Sequence, residues 1–258
     1  MTSDYLKQSR SLDEIYALID KNRVEAARAA QAKFHNDMEA AIATIAGIST
    51  IACARVQADS RVASAKVMIN AELVATRLLA EAEAEASKCA EQMLIKSSEA
   101  VEAALREIGR HTSLRLAEAA KLSVQQIQQD AEAAIKLLRE TGAIAIREVQ
   151  TLASSVAEQT RRDAELAAEK LHEYRRQAHT PKDAISEGED LAEILVNAAQ
   201  EASDRLRQAL NATLANINTI TDEACRAVHE ASLAAEKNIS DSRDKALTRL
   251  KETLQAYR

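Results

Sequence analysis

Apolar positions return along this chain every eleven residues. Ile45, Val56, Val67, Leu78 and Cys89 form one series, and Leu94, Leu105, Leu116, Ile127, Leu138 and Val149 form another, which resumes at Leu171 after Thr160. A third runs Leu195, Leu206, Ile217, Val228, Ile239, Leu250. Smaller residues keep the same spacing between them: Val101, Thr112, Ser123, Ala134, Ala145, Val156 and Ala167, then Ala202, Thr213, Ala224, Ala235 and Ala246. Large and small positions alternate in steps of seven and four. Eleven residues in three turns is about 3.67 per turn, close to the roughly 3.6 of a free α-helix, so the seam follows a straight or slightly right-handed coil. A seven-residue repeat would impose a left-handed one.

Few residues interrupt this pattern. Ser11-Leu12-Asp13-Glu14 has the form of a capping box, with acidic residues at the positive end of the helix dipole. Nothing then forces a stop before His179. Arg175 and Arg176 sit where a helix C-terminus favours cations, Thr180-Pro181 suits an N-cap followed by the first helical position, and Ser186-Glu187-Gly188-Glu189 offers a second start. The sequence therefore predicts a tail over 1–10, one helix over 11–178, a break over 179–189 and a second helix over 190–258. At about 1.5 Å per residue the two would measure roughly 250 and 100 Å. Helices so long persist only if an apolar face is buried along them. The second can continue outward after a kink or fold back on residues 110–178 as an antiparallel hairpin, and the hairpin is favoured because the connection is short and the seams match. The expected class is all-α: very long Ala-rich helices in a straight or right-handed hendecad coiled coil.

Residues 45–84 carry two stripes. One runs Ile45, Ala52, Val56, Ala63, Val67, Val74, Leu78; the other runs Ile51, Ala58, Val62, Ile69, Leu73, Ala80, Ala84. A polar row of Arg55, Asp59, Lys66, Asn70, Arg77 and Glu81 lies between them, with Arg55/Asp59 and Arg77/Glu81 spaced for i,i+4 ion pairs. A helix apolar on two faces can touch a neighbour on each. From Leu94 onward one main seam is expected. Gly109, Ala120, Ala131, Gly142, Ala153 and Ala164 lie beside it to admit close helix approach, and Leu122, Val124, Ile135, Ile144 and Ile146 widen it.

In period and Ala content, over about residues 34–178 and 191–254, the chain resembles the hendecad class of right-handed coiled coils. Peripheral-stalk helices of rotary ATPases and some surface-layer stalks belong to that class. The resemblance implies long helices packed side by side.

Composition narrows the reading further. Four Gly and one Pro in 258 residues leave little turn-forming material, so a sheet-containing or enzyme-like fold is nearly excluded. Alanine supplies 54 residues. The five aromatics (Tyr5, Tyr16, Phe34, Tyr174, Tyr257) leave 35–173 without a ring, whereas compact cores lean on such groups. A net charge of −6 argues against a nucleic-acid binder. Cys53, Cys89 and Cys225 form no CxxC pair and no signal peptide is visible, which points to a reducing, cytoplasmic setting. The longest uncharged run, Ala40–Ala54, falls short of the roughly 20 residues that span a bilayer.

No phosphate-cradling Gly motif, zinc-binding HExxH or nucleophile elbow occurs. His35, His111, His172, His179 and His229 are scattered, and Glu81-Ala82-Glu83-Ala84-Glu85 spreads its carboxylates over different helix faces. The expectation is a protein with no catalytic, cofactor or metal site. Its function would be structural: a self-assembling scaffold, spacer, tube or filament element whose partner is a further copy of itself, with four or more helices in contact. The seam residues expected to carry assembly are Ile45, Ile51, Val56, Val62, Val67, Leu73, Leu78, Leu94, Leu105, Leu116, Ile127, Leu138, Val149, Leu171, Leu195, Leu206, Ile217, Val228, Ile239 and Leu250. The competing reading is a peripheral membrane- or granule-coating protein. Eleven-residue amphipathic repeats lie flat on lipid, and Arg55, Lys66, Arg77 and Lys88 edge the apolar face. The absence of bulky anchors weighs against it.

Overall fold

The computed structural model describes the backbone of residues 2–93, 98–177 and 183–256, and side-chain surroundings over 21–88, 90–91, 103–173 and 191–255. Every described residue is α-helical. Three helices follow one another: α1 (Thr2–Met93), α2 (Ser98–Gln177) and α3 (Asp183–Ala256). The single helix predicted over 11–178 is thus two. Leu94 to Ser97 contain no Gly or Pro to mark a break. What favours the division is burial, because a lone helix cannot cover its own apolar face. α1 also begins at Thr2, so residues from 2 onward are helical rather than a tail, and Ser11–Glu14 lie inside the helix. Ser3 and Asp4 are as well suited to a helix start as Ser11. Of the break predicted over 179–189, residues 183–189 belong to α3, while 178–182, with Pro181, lie outside the described residues.

The chain divides into two units, each built from one segment of every helix. The first comprises Met1–Ala52 with Ile144–Ile217, the second Cys53–Ala143 with Asn218–Arg258.

In the second unit α1 supplies Val56, Val67, Ala71, Leu78 and Ala82, α2 supplies Leu116, Ala120, Ile127, Ala131 and Leu138, and α3 supplies Ala224, Val228, Ala235, Ile239 and Ala246 to one core. Contacts fix the directions. Ser60 Oγ donates to the Ala224 carbonyl oxygen at 2.9 Å and Arg249 meets Glu83 at 2.5 Å, so α1 and α3 run parallel. Gly109 abuts Leu254 and Gly142 abuts Thr221, so α3 folds back antiparallel on α2. Arg115 of α2 reaches Glu85 of α1 at 3.7 Å. Each buried Leu, Ile or Val contributes about 1.5–3 kcal/mol of hydrophobic stabilisation. Alanines add less burial each, but they let the helix axes approach closely enough for the larger side chains to interlock.

The first unit has a smaller cluster of Ala27 and Phe34 from α1, Ala164 and Leu171 from α2, and Leu195 and Ala199 from α3. Phe34, the only Phe in the chain, is 2% exposed there. Beside it Lys33 Nζ donates to Asp163 Oδ2 at 2.5 Å, tying α1 to α2.

Candidate functional site

Among the described residues no three His, Cys, Asp or Glu side chains gather as a metal set. The acidic run Glu81–Glu85 is laced to cations: Glu81 accepts from Arg77 at 2.9 Å, Glu83 from Arg249, and Glu85 from Lys88 at 3.1 Å. A carboxylate so occupied has no poised partner for acid–base work. In the first unit an open groove of about 440 Å³ between α1 and α3 is lined by Arg28, His35, Glu39, Glu201 and Arg205. Charges of both signs alternate there, as on a solvated helix surface. Glu158 is held below the ordinary carboxylate range by hydrogen bonds from Arg161 and Arg162, a cluster confined to the surface of α2.

The thiol of Cys225 lies among buried α3 positions, with Sγ 3.9 Å from the Ile135 carbonyl oxygen. Burial pushes its pKa up, which disfavours the nucleophilic thiolate.

The seam residues separate into two groups. Ile45, Val56, Val67, Leu78, Leu105, Leu116, Ile127, Leu138, Val149, Leu171, Leu195, Leu206, Ile217, Val228, Ile239 and Leu250 are all buried within the chain's own helices. Gly109, Ala120, Ala131, Gly142, Ala153 and Ala164 are buried too. Leu94 lies outside the described residues. The remaining three, Ile51, Val62 and Leu73, are exposed. Burial therefore recurs at the eleven-residue interval, but the helices that satisfy the first stripe of α1 come from the same chain.

The second stripe of α1 is left uncovered. In the second unit Val62 is 68% exposed, Ile69 56% and Leu73 65%. Ala58, Ala65, Ala80 and Ala84 continue the same face and are exposed as well. At about 100° per residue this face points roughly 120–180° away from Val67 and Leu78 in the core. The polar row at its margin forms its expected pairs: Arg55 with Asp59 at 3.9 Å and Arg77 with Glu81 at 2.9 Å. In the first unit Ile51 is exposed on the same helix.

Two of the five residues expected to widen the α2 seam do not. Val124 and Ile135 pack against the core, whereas Leu122 and Ile144 are exposed. Leu137 joins them on the outside, and sequence reasoning passed over it. Its neighbour Leu138 holds the eleven-residue position, and Leu137, one residue away, is turned about 100° from it. Leu166 is exposed too and keeps the phase of Leu122 and Ile144, each 22 residues or two repeats from the next, whereas Leu114, Ile194, Val196 and Leu233 are exposed without such spacing.

Within Lys21–Lys88, α1 contains one stretch long and apolar enough to cross a membrane by length and composition, although the uncharged run alone is shorter than a span.

No protein-family model and no curated protein matches the chain. Among solved structures it is similar to a computationally designed three-helix bundle, with a TM-score of 0.60 at 12% identity, over 95% of this chain and 98% of that one. At that identity the likeness concerns the fold.

Proposed function

We propose that the chain is a non-catalytic structural element, a self-associating helical scaffold or spacer working inside the cell. The observation that carries this reading is the uncovered face of α1 at Val62, Ile69 and Leu73. Three apolar side chains aligned on one helix face, in a chain whose described seam is buried without them, are an interaction surface more than incidental exposure. The eleven-residue spacing supports nearly straight, right-handed packing of one helical unit on another. Length would then multiply weak contacts, as befits Ala-rich faces that bury little area each.

A second reading has one observation in its favour. The apolar stretch of α1 within Lys21–Lys88 is only 22% buried, so this surface is open to lipid as well as to protein. Light scattering and negative-stain imaging without lipid, with circular dichroism before and after adding vesicles, separate the two. Helical, elongated multimers formed without lipid fit the scaffold. A monomer that gains order only on vesicles overturns it.

A further inference from the structure

We propose that the face of α1 around Val62, Ile69 and Leu73 docks against the same face of a second copy of this chain, with the two α1 helices parallel. The inference rests on the scaffold reading and names the partner of its surface.

The face is built as a seam. Ala58, Ile69 and Ala80 are eleven apart, and so are Val62, Leu73 and Ala84, which is the interval of Val56, Val67 and Leu78 in the core behind them. Scattered surface apolar residues would have no reason to keep this phase for almost thirty residues. A face with regular large and small positions is complementary to itself, as a two-fold interface requires.

The flanking charges select the partner and its direction. One margin carries Arg55, Lys66, Arg77 and Lys88, eleven apart, with Asp59, Asn70 and Glu81 one step farther from the apolar face; the other carries Arg61, Glu72 and Glu83. In a parallel pair opposite margins meet, and a residue on one reaches the position about five further on along the other helix, as in coiled-coil g–e pairs. Glu72 of one copy then faces Arg77 of the other, and Glu83 faces Lys88, each contact occurring twice by symmetry. Arg61 opposite Lys66 is the single unfavourable pair. An antiparallel pair would bring the two rows of Arg55, Lys66, Arg77 and Lys88 together, relieved only by Asp59 and Glu81 of the same margin. An anionic lipid surface would meet Glu72 and Glu83 along one edge, so the margins suit a second α1 better. The existing pairs of Arg77 with Glu81, Lys88 with Glu85 and Arg249 with Glu83 are no obstacle, since Arg77, Lys88 and Glu83 are all exposed, the cations have further donors and the Glu83 carboxylate has further acceptor sites.

Three large side chains and a few alanines offer less than the roughly 800 Å² per partner of a standard stable interface, so association is expected in the micromolar range. The test is sedimentation equilibrium on the full chain over that range, with circular dichroism as the folding control. Ile69→Glu with Leu73→Glu should weaken association at least about tenfold while helix content holds, both residues being on the outside. Glu72→Lys should weaken it, and adding Arg77→Glu in the same chain should restore it. A wild-type chain that stays monomeric overturns the scaffold reading and this proposal together, whether or not it binds anionic vesicles. Association indifferent to the Ile69/Leu73 pair overturns the docking face and leaves the scaffold standing. Loss with that pair but no rescue by the charge exchange overturns the parallel arrangement.

Discussion

Gly142 of α2 lies so close to Thr221 of α3 that a β-carbon on it would sit 2.6 Å from the Thr221 hydroxyl oxygen and 3.2 Å from its methyl carbon. Thr221 is itself buried, with little freedom to move aside. Gly142→Ala sets a gain in helix propensity of about 1 kcal/mol against an overpacking penalty of about 1–3 kcal/mol. The clash should win, with a net loss of about 1 kcal/mol. Gly47 gives the opposite sign, because nothing lies within 4 Å of a β-carbon there. Gly47→Ala should gain roughly 0.5–1 kcal/mol. Urea unfolding followed by circular dichroism compares the two, and equal effects would show that close approach at Gly142 does not govern its tolerance.

Leu137 and Leu138 are adjacent and opposite in burial, 56% against 1% exposed. Truncation of Leu138 to Ala removes packing against the core and should cost about 2–5 kcal/mol. The same change at Leu137 should stay within about 0.5 kcal/mol, as for surface positions generally. Thermal melts of the two variants make the comparison. A Leu137→Ala loss as large as that at Leu138 would mean that Leu137 is covered in solution, by another copy or another molecule.

That contrast shows what the sequence carried and what it did not. Leu138 was legible because it keeps the interval from Leu116 and Ile127, and the interval marks the face that stays on one side of a helix. The division between α1 and α2 was not, because Gly and Pro are the usual marks of a break and neither stands between Met93 and Ser98. Its trace is a slip of phase. Leu78 to Leu105 spans 27 residues, five more than two repeats, where an unbroken seam would keep to multiples of eleven. The smaller slip from Leu171 to Leu195, 24 residues, accompanies the passage from α2 to α3. Pattern alone also could not separate the two stripes of α1. Both satisfy the same spacing, and only the positions of α2 and α3 decide that Val67 is covered and Val62 is not.

Cys225 should resist alkylation while the chain is folded. Its thiol is buried, and the same burial raises its pKa, so both access and thiolate fraction fall. Cys53 is half-buried and offers an internal comparison. Mass spectrometry after a timed pulse of iodoacetamide near neutral pH should find Cys53 labelled well before Cys225, with the difference abolished in denaturant. The sign of the linkage follows from the raised value. The neutral thiol is favoured in the folded state, so its stabilisation is complete at neutral pH and declines as pH rises through the folded pKa. Rapid native labelling of Cys225 would show that α3 opens from α2 around Ile135 far more often than a packed core allows.

The Lys33–Asp163 pair ties α1 to α2 in the first unit and gives that unit an acid dependence. The hydrogen bond from Lys33 holds the Asp163 carboxyl below its ordinary value near 3.8, with a second hydrogen bond from Gln159 at 2.7 Å acting in the same direction. A lowered folded pKa means that the stabilisation is fully present above the unfolded value and is lost as pH falls through the folded one. Asp163→Asn should therefore be less stable than the wild type at neutral pH, and the gap should close as pH falls through the lowered folded pKa of Asp163. The effect is modest because Lys33 is largely exposed, and salt should shrink it further. Hydrogen exchange at amides near Phe34 and Leu171 is the suitable probe, since it reads the first unit where the pair lies. If the Asn variant exchanges there as slowly as the wild type at neutral pH and low salt, the pair adds nothing, and Phe34 with Leu171 and Leu195 alone holds those three helix segments together.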